Sequence, residues 1–250
     1  MSTTAMQGMF ITGTDTGCGK TAITLGLMAA WRTRVERVLG MKPVASGCTP
    51  GPAGLRNDDA LALQAQGSSQ APYGIVNPYA FEPPIAPHLA AGQVGVIISL
   101  PVIEQAFRTL AAAADQVLVE GVGGWRVPLG PELFLSDVPK ALGLPVVLVV
   151  GLKLGCLNHA LLTVESIRAS DGVLAGWIAN QVDPNMLEQE ANLATLAALI
   201  EAPCLGVVPW LERPEPREVA GYLHPELIDL HPRHSVRLAS TQARSRTRDA

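Results

Sequence analysis

Short apolar runs that lack polar alternation recur along the chain, separated by longer stretches whose apolar positions follow helical spacing. Met9–Thr12, Val38–Met41, Val117–Val119, Pro145–Val150, Val173–Ala179 and Cys204–Val208 read as strands. Thr21–Thr33, Asp58–Gln66, Pro101–Ala113, Leu157–Ala169 and Met186–Ile200 read as helices, with Ser99 placed to cap the third. Strands that are apolar on both faces and alternate with helices predict an α/β fold, a mostly parallel sheet flanked by helices. The longest apolar runs, around Leu144–Leu152 and Val94–Leu100, are too short to span a bilayer and are expected to be buried strands or strand-to-helix edges.

Sheets of this kind bind ligands beyond the carboxyl ends of their strands. The prominent polar segments lie there: Thr14–Thr21, Lys42–Gly47, Glu120–Gly124 and Asn180 each follow a strand. With no internal repeat or linker, one domain over residues 1–232 is expected, followed by a disordered tail over 233–250. Ser46–Pro52 and Tyr73–Pro87, rich in Pro and Gly, read as surface excursions near the same edge.

Composition narrows the function classes. Hydrophobic residues make up 48% of the 250 and charged residues 16%, the balance of an ordinary folded protein. A net charge of −4 argues against a nucleic-acid footprint. Arg233, Arg237, Arg244, Arg246 and Arg248 form a basic cluster, read as part of the frayed tail in preference to a phosphate-binding arm. Met1–Met9 has no basic residue followed by an apolar core, so no signal peptide is expected. Cys18, Cys48, Cys156 and Cys204 form no C-x-x-C pair and have no His at metal-ligand spacing, which suits a reducing cytoplasm and argues against structural zinc. No G-x-S-x-G or H-E-x-x-H motif is present, and the five His residues are scattered.

The segment Gly13-Thr-Asp-Thr-Gly-Cys-Gly-Lys-Thr21 stands between a strand and a helix. A P-loop needs backbone N–H groups and a helix N-terminus around phosphate oxygens, with a Lys spanning the outer phosphates. Gly17 and Gly19 permit close backbone approach, Lys20 supplies the charge and Thr21 a hydroxyl for Mg²⁺. Counted from Gly13, the loop is one residue longer than the general motif.

Lys42-Pro-Val-Ala-Ser-Gly47 offers a cation for a carbamate, phosphate or carboxylate, with Ser46 as a donor; alone it also reads as an exposed Lys before a turn. Asn57-Asp58-Asp59 opens a helix, where one acid caps and the other is free for a metal, Asp58 and Asp59 being equivalent on spacing. Glu120 ends an apolar strand, where a P-loop protein places a metal-organising carboxylate. Two features are softer. Gly155-Cys-Leu-Asn158 opens a helix and is read either as a carboxylate cradle or, through Asn158, as a cap. Asn180 ends a strand with an amide suited to a base edge, and Pro209–Leu211 can wall a base pocket.

Taken in order, Gly13–Thr16, Gly19–Thr21, Lys42–Gly47, Gly54–Asn57, Asp59–Leu63, Val76–Tyr79, Val119–Gly121, Gly123–Trp125, Lys153–Cys156, Asn158–Ala160, Ala175–Trp177 and Pro209–Leu211 resemble the dethiobiotin synthetases, from Phe10 to about Pro216. The resemblance implies a P-loop NTPase fold and an ATP-dependent, magnesium-requiring ligase of biotin synthesis that closes a ureido ring from 7,8-diaminononanoate and CO₂. It implies Lys42 as the catalytic lysine, with Thr16, Lys20 and Ser46 on the carbamate and transferred phosphoryl group. It also implies Thr21, Asp59 and Glu120 as magnesium ligands, so Asp59 takes precedence over Asp58. The nucleotide would meet Gly17, Cys18, Gly19, Lys20, Thr21 and Ala22. It would also meet Gly121, Val122 and Gly123, with Asn180, Gln181, Pro209, Trp210, Leu211 and Glu215 around the base. A homodimer is implied, the substrate carboxylate held by the partner's copy of the Gly155, Cys156, Leu157 and Asn158 segment.

Gly17 and Cys18 depart from the acidic and branched residues usual in the family's loop, and Cys18 there suggests sensitivity to thiol reagents. A partitioning ATPase would carry a lysine where Asp15 stands, and an amide-forming synthetase of the superfamily would need a further glutaminase domain. A paralogue without activity is opposed by intact Lys42, Ser46, Asp59 and Glu120.

Overall fold

The computed structural model describes residues 8–228. The N-terminal half runs β1 (Gly8–Gly13), α1 (Lys20–Trp31), β2 (Val38–Met41), β3 (Val44–Ala45), β4 (Thr49–Gly51), β5 (Gly54–Arg56), α2 (Asp58–Gln66), α3 (Tyr73–Val76), β6 (Tyr79–Ala80) and α4 (Pro87–Gln93). There follow α5 (Leu100–Ala113), β7 (Gln116–Glu120), α6 (Asp137–Leu142), β8 (Val146–Leu152), α7 (Cys156–Ala169), β9 (Leu174–Gln181), α8 (Gln189–Leu199), β10 (Cys204–Val208) and α9 (Pro216–Ala220). Six strands form one sheet in the order β10-β9-β8-β1-β7-β2, every neighbouring pair parallel.

Both faces of this sheet are covered, which explains the absence of polar alternation. Successive side chains point to opposite faces of a strand. In β1, Phe10 enters a core with Val117 and Val119, while Met9 and Ile11 enter another with Leu118, Val147 and Val149. The first core is closed by Ile103, Phe107 and Leu110 of α5 and Val138 of α6, the second by Ile23, Leu27 and Met28 of α1. A third, from Leu148, Val150 and Trp177, is capped by Val164 of α7 and Leu196 of α8. Because every strand points the same way, the loops after β1, β2, β7 and β9 emerge at one edge.

Four expectations need correction. Val94–Leu100 is not a strand, and only Ile98 in it is buried: Ile97 is 85% exposed, and the run is a loop that leads into α5 at Leu100. Tyr73–Pro87 is more than a surface excursion, since Val76, Tyr79 and Phe81 are buried and β6 pairs with β3 in parallel. Ser99 takes the N-cap position of α5 without bonding the helix; its hydroxyl lies 3.3 Å from that of Tyr79. The last long helix begins at Gln189, after Glu188 in a left-handed conformation, not at Met186. The helices α4, α6 and α9 escaped prediction because seven, six and five residues leave too little periodicity to read. The domain end at 232, the tail over 233–250 and its arginine cluster lie outside the described residues. No helix among the described residues is long and apolar enough to cross a membrane.

Candidate active site

The loop from β1 to α1 is fixed from several sides. Thr14 N–H donates to the Val149 carbonyl at 3.0 Å, and Gly151 N–H donates to the Thr14 hydroxyl at 3.4 Å. Lys20 folds back so that its Nζ donates to the Asp15 carbonyl at 3.0 Å. The Asp15 carboxylate accepts from Thr16 N–H at 2.7 Å and from Lys153 Nζ at 2.9 Å. The Lys153 hydrogen bond lowers the Asp15 pKa from its ordinary value, against the opposing effect of burial. Gly17 and Gly19 both have positive φ, 76° and 87°, a conformation that glycine adopts without the steric cost of a Cβ.

Cys18 contradicts one expectation. Its side chain has no exposure and packs in the core beneath the loop, so its thiol is shielded from reagents. Glycines make that room: a Cβ on Gly13 would meet the Cys18 Sγ at 2.3 Å, and one on Gly151 would meet its Cβ at 2.9 Å.

Beyond this loop lies an open cleft of about 670 Å³, walled by Thr16, Lys20, Thr21, Lys42, Ser46 and Asp59, with Glu120 at its base. Lys42 leaves the end of β2 with its backbone held at both ends, N–H to the Val76 carbonyl at 2.8 Å and carbonyl from Asn77 Nδ2 at 2.7 Å. Its Nζ donates to Glu120 Oε1 at 2.6 Å and to Asp59 Oδ2 at 2.7 Å. Glu120 Oε1 also accepts from the Thr21 hydroxyl at 2.9 Å. Burial pushes the Lys42 pKa down, but Glu120 and Asp59 outweigh it and hold the ammonium above its ordinary value. Asp59 is the mirror case, with burial raising it and Lys42 prevailing to keep it low. Asn57, not Asp58, caps α2 by accepting from Ala60 N–H at 3.2 Å; Asp58 is exposed and turned from the cleft. The alternative of an exposed Lys42 is excluded, since the residue is 4% exposed.

A second, smaller cavity of about 220 Å³ adjoins, lined by Ala22, Asn180, Gln181, Pro209, Trp210 and Leu211. Gly17 and Gly19 line both cavities, so the P-loop is their shared wall. One amide N–H of Asn180 is committed to the Cys18 carbonyl at 3.0 Å, leaving its oxygen and second N–H for other partners. Gln181 Oε1 accepts from Trp210 N–H at 3.1 Å, which fixes that wall.

Several predicted groups stay apart from these cavities. Glu215 is exposed at the start of α9, and Pro214 lines the smaller cavity in its place. The Gly155–Asn158 segment lies outside both, with Gly155 and not Asn158 as the N-cap of α7 and Leu154 beside it 96% exposed. Gly121 likewise lines neither cavity, whereas Val122 and Gly123 line the larger. The motifs do not reveal the far wall of the cleft, Pro84–Pro87 with Val127, or the Asp15–Lys153 tie. The Pro-rich run was a local signal for the first; the tie joins residues 138 apart and left none.

A family model described as an AAA domain matches residues 7–217. The chain is 54% identical over 219 residues to the ATP-dependent dethiobiotin synthetase BioD of Pseudomonas aeruginosa (strain UCBPP-PA14), spanning 87% of this chain and 96% of that protein. It is 52% identical over 211 residues to the protein of the same name from Xanthomonas oryzae pv. oryzae (strain PXO99A), spanning 84% and 93%. Among solved structures, the MinC:MinD cell division protein complex of Aquifex aeolicus matches with a TM-score of 0.54 at 16% identity, covering 90% of this chain and 93% of that one. Likeness at that identity concerns the fold, a mostly parallel P-loop NTPase sheet flanked by helices.

Proposed function

The chain belongs to the ATP-dependent dethiobiotin synthetases, and we propose that the two adjoining cavities carry out that reaction on 7,8-diaminononanoate, CO₂ and ATP. The observation that carries this reading is the placement of Lys42. A buried ammonium, 2.6 Å from Glu120 and 2.7 Å from Asp59, stands in the same cleft as Lys20, Thr16 and Ser46.

In this reading the base occupies the smaller cavity and the phosphates cross the P-loop into the larger one. One substrate amine adds to CO₂, giving a carbamate and releasing a proton. The carbamate oxygen attacks the γ-phosphorus of ATP, ADP leaves, and the second amine displaces phosphate to close the ureido ring. A cationic lysine beside the reacting nitrogen favours both the neutral amine and the carbamate anion. Lys20 and Lys42 offset charge on the transferred group, and Thr16 and Ser46 orient it.

The donor set fits magnesium. Thr21, Asp59 and Glu120 offer oxygen only, and Glu120 Oε2 is buried without a hydrogen-bond partner. Among the described residues no group of three or more His, Cys, Asp or Glu could hold a metal ion; an ion on these three side chains would be completed by phosphate oxygens and water. Bound there, Mg²⁺ would offset charge on the phosphates. We further assign a cytoplasmic homodimer in which Gly155–Asn158 serves the partner's substrate, a role that suits its position outside both cavities and the exposed Leu154 and Leu187.

Lys42→Ala tests the assignment. It is expected to abolish diamine-dependent ADP formation while an ATP analogue still binds in calorimetry. Loss of nucleotide binding itself would place Lys42 elsewhere in the mechanism.

A further inference from the structure

Lys42 makes contacts that the reaction does not require. Its Nζ lies within 2.7 Å of one oxygen each from Asp59 and Glu120, and the second of these also accepts from Thr21. These are the three side chains assigned to magnesium above. A magnesium ion held by these side chains would draw on the charges of the same two carboxylates. An ammonium bonded to Glu120 at 2.6 Å and to Asp59 at 2.7 Å already offsets those charges, so the two cations compete for the same acidic pair even though Glu120 Oε2 is free.

From this juxtaposition we propose that Lys42 is a built-in placeholder for the divalent cation, holding the acidic pair together in the ligand-free enzyme and yielding its place when the metal–nucleotide complex enters. The inference rests on the magnesium reading of Thr21, Asp59 and Glu120. Glu120 has no solvent exposure, and a buried carboxylate without a counter-charge is strongly destabilising. Lys42 supplies that charge before any ligand arrives. Its backbone is pinned by Val76 and Asn77, so only the side chain needs to move, and it borders an open cleft with room to receive it. Displacement turns the ammonium from the acids toward Ser46 and Thr16, where the carbamate is to form. Release from the acids thereby readies the catalytic lysine.

The test is Mn²⁺ binding followed by electron paramagnetic resonance on the full chain, for wild type, Lys42→Met and Lys42→Met with Asp59→Asn. Without nucleotide, Lys42→Met is expected to bind Mn²⁺ at least about tenfold more tightly than wild type, and the added Asp59→Asn to remove the gain. With a non-hydrolysable ATP analogue, wild type and Lys42→Met are both expected to bind Mn²⁺. Equal nucleotide-free affinities, with Mn²⁺ still held in the nucleotide complexes, would overturn the placeholder and leave the metal site standing. No Mn²⁺ in the nucleotide complexes would overturn the metal site as well. Should Lys42→Met not fold, wild type labelled with [¹³Cε]lysine decides. The Lys42 resonance is expected to move when Mg²⁺ is added to the nucleotide complex, and a resonance that stays put overturns the proposal.

Discussion

Gly17→Ala and Gly19→Ala form a matched pair, because both residues lie in the P-loop with φ of 76° and 87°. An L-residue in the left-handed region costs roughly 1–2 kcal/mol, and the smaller conformational freedom of Ala in the unfolded chain acts equally on both. They differ in what a Cβ would meet. At Gly17 nothing lies within 4 Å, whereas at Gly19 the Nδ2 of Asn180 stands at 2.0 Å. Asn180 is 9% exposed and its Nδ2 is bonded to the Cys18 carbonyl, so it has to move and break that bond. Losing the bond leaves a carbonyl unsatisfied, at a cost of about 1–3 kcal/mol. Gly19→Ala is therefore expected to be roughly 2 kcal/mol less stable than Gly17→Ala, or about 4–8 °C lower in Tm for a chain of this size. Calorimetric melting of both variants without nucleotide measures the difference. Equal Tm values would refute the reasoning, since they would mean that Asn180 does not brace the loop.

Other outcomes follow from the same geometry. Cys18, with no exposure, is expected to resist a thiol reagent in the native protein and react only on unfolding; rapid native labelling mapped to Cys18 would contradict its placement. Asp59 is held below its ordinary 3.8 by Lys42, so its contribution to ligand-free stability is full above that value and is lost as pH falls through the lower folded value. Urea midpoints between about pH 5 and 3 should therefore drop more steeply in wild type than in Asp59→Asn, and parallel slopes would show that the ion pair does not form.

The edge of the sheet that bears the site was legible because direction is a local property: a strand, then Gly, Lys or Glu, then a helix. That pattern located Lys20, Lys42 and Glu120, which the structure gathers around one cleft. Asp59 could not be told from Asp58 on spacing; the structure separates them because Asn57 takes the cap and α2 then turns Asp59 inward. Cys18 was misread because its direction depends on space left by Gly13 and by the distant Gly151. Val94–Leu100 was misread because hydropathy records the character of a run and not whether a partner covers it; Val94 and Ile97 are exposed. The Gly155–Asn158 segment was found as a helix start, but a single chain does not supply a ligand to stand against it.

The central claim is that Lys42 and the P-loop serve a ring-closing carboxylation of a diamine. The most direct measurement supplies the purified protein with 7,8-diaminononanoate, ¹³C-bicarbonate, Mg²⁺ and ATP and follows product and ADP together. Dethiobiotin carrying the label in its ureido carbon, formed one for one with ADP, is the predicted result. ATP hydrolysis that proceeds at the same rate without the diamine, and no labelled product, would contradict it.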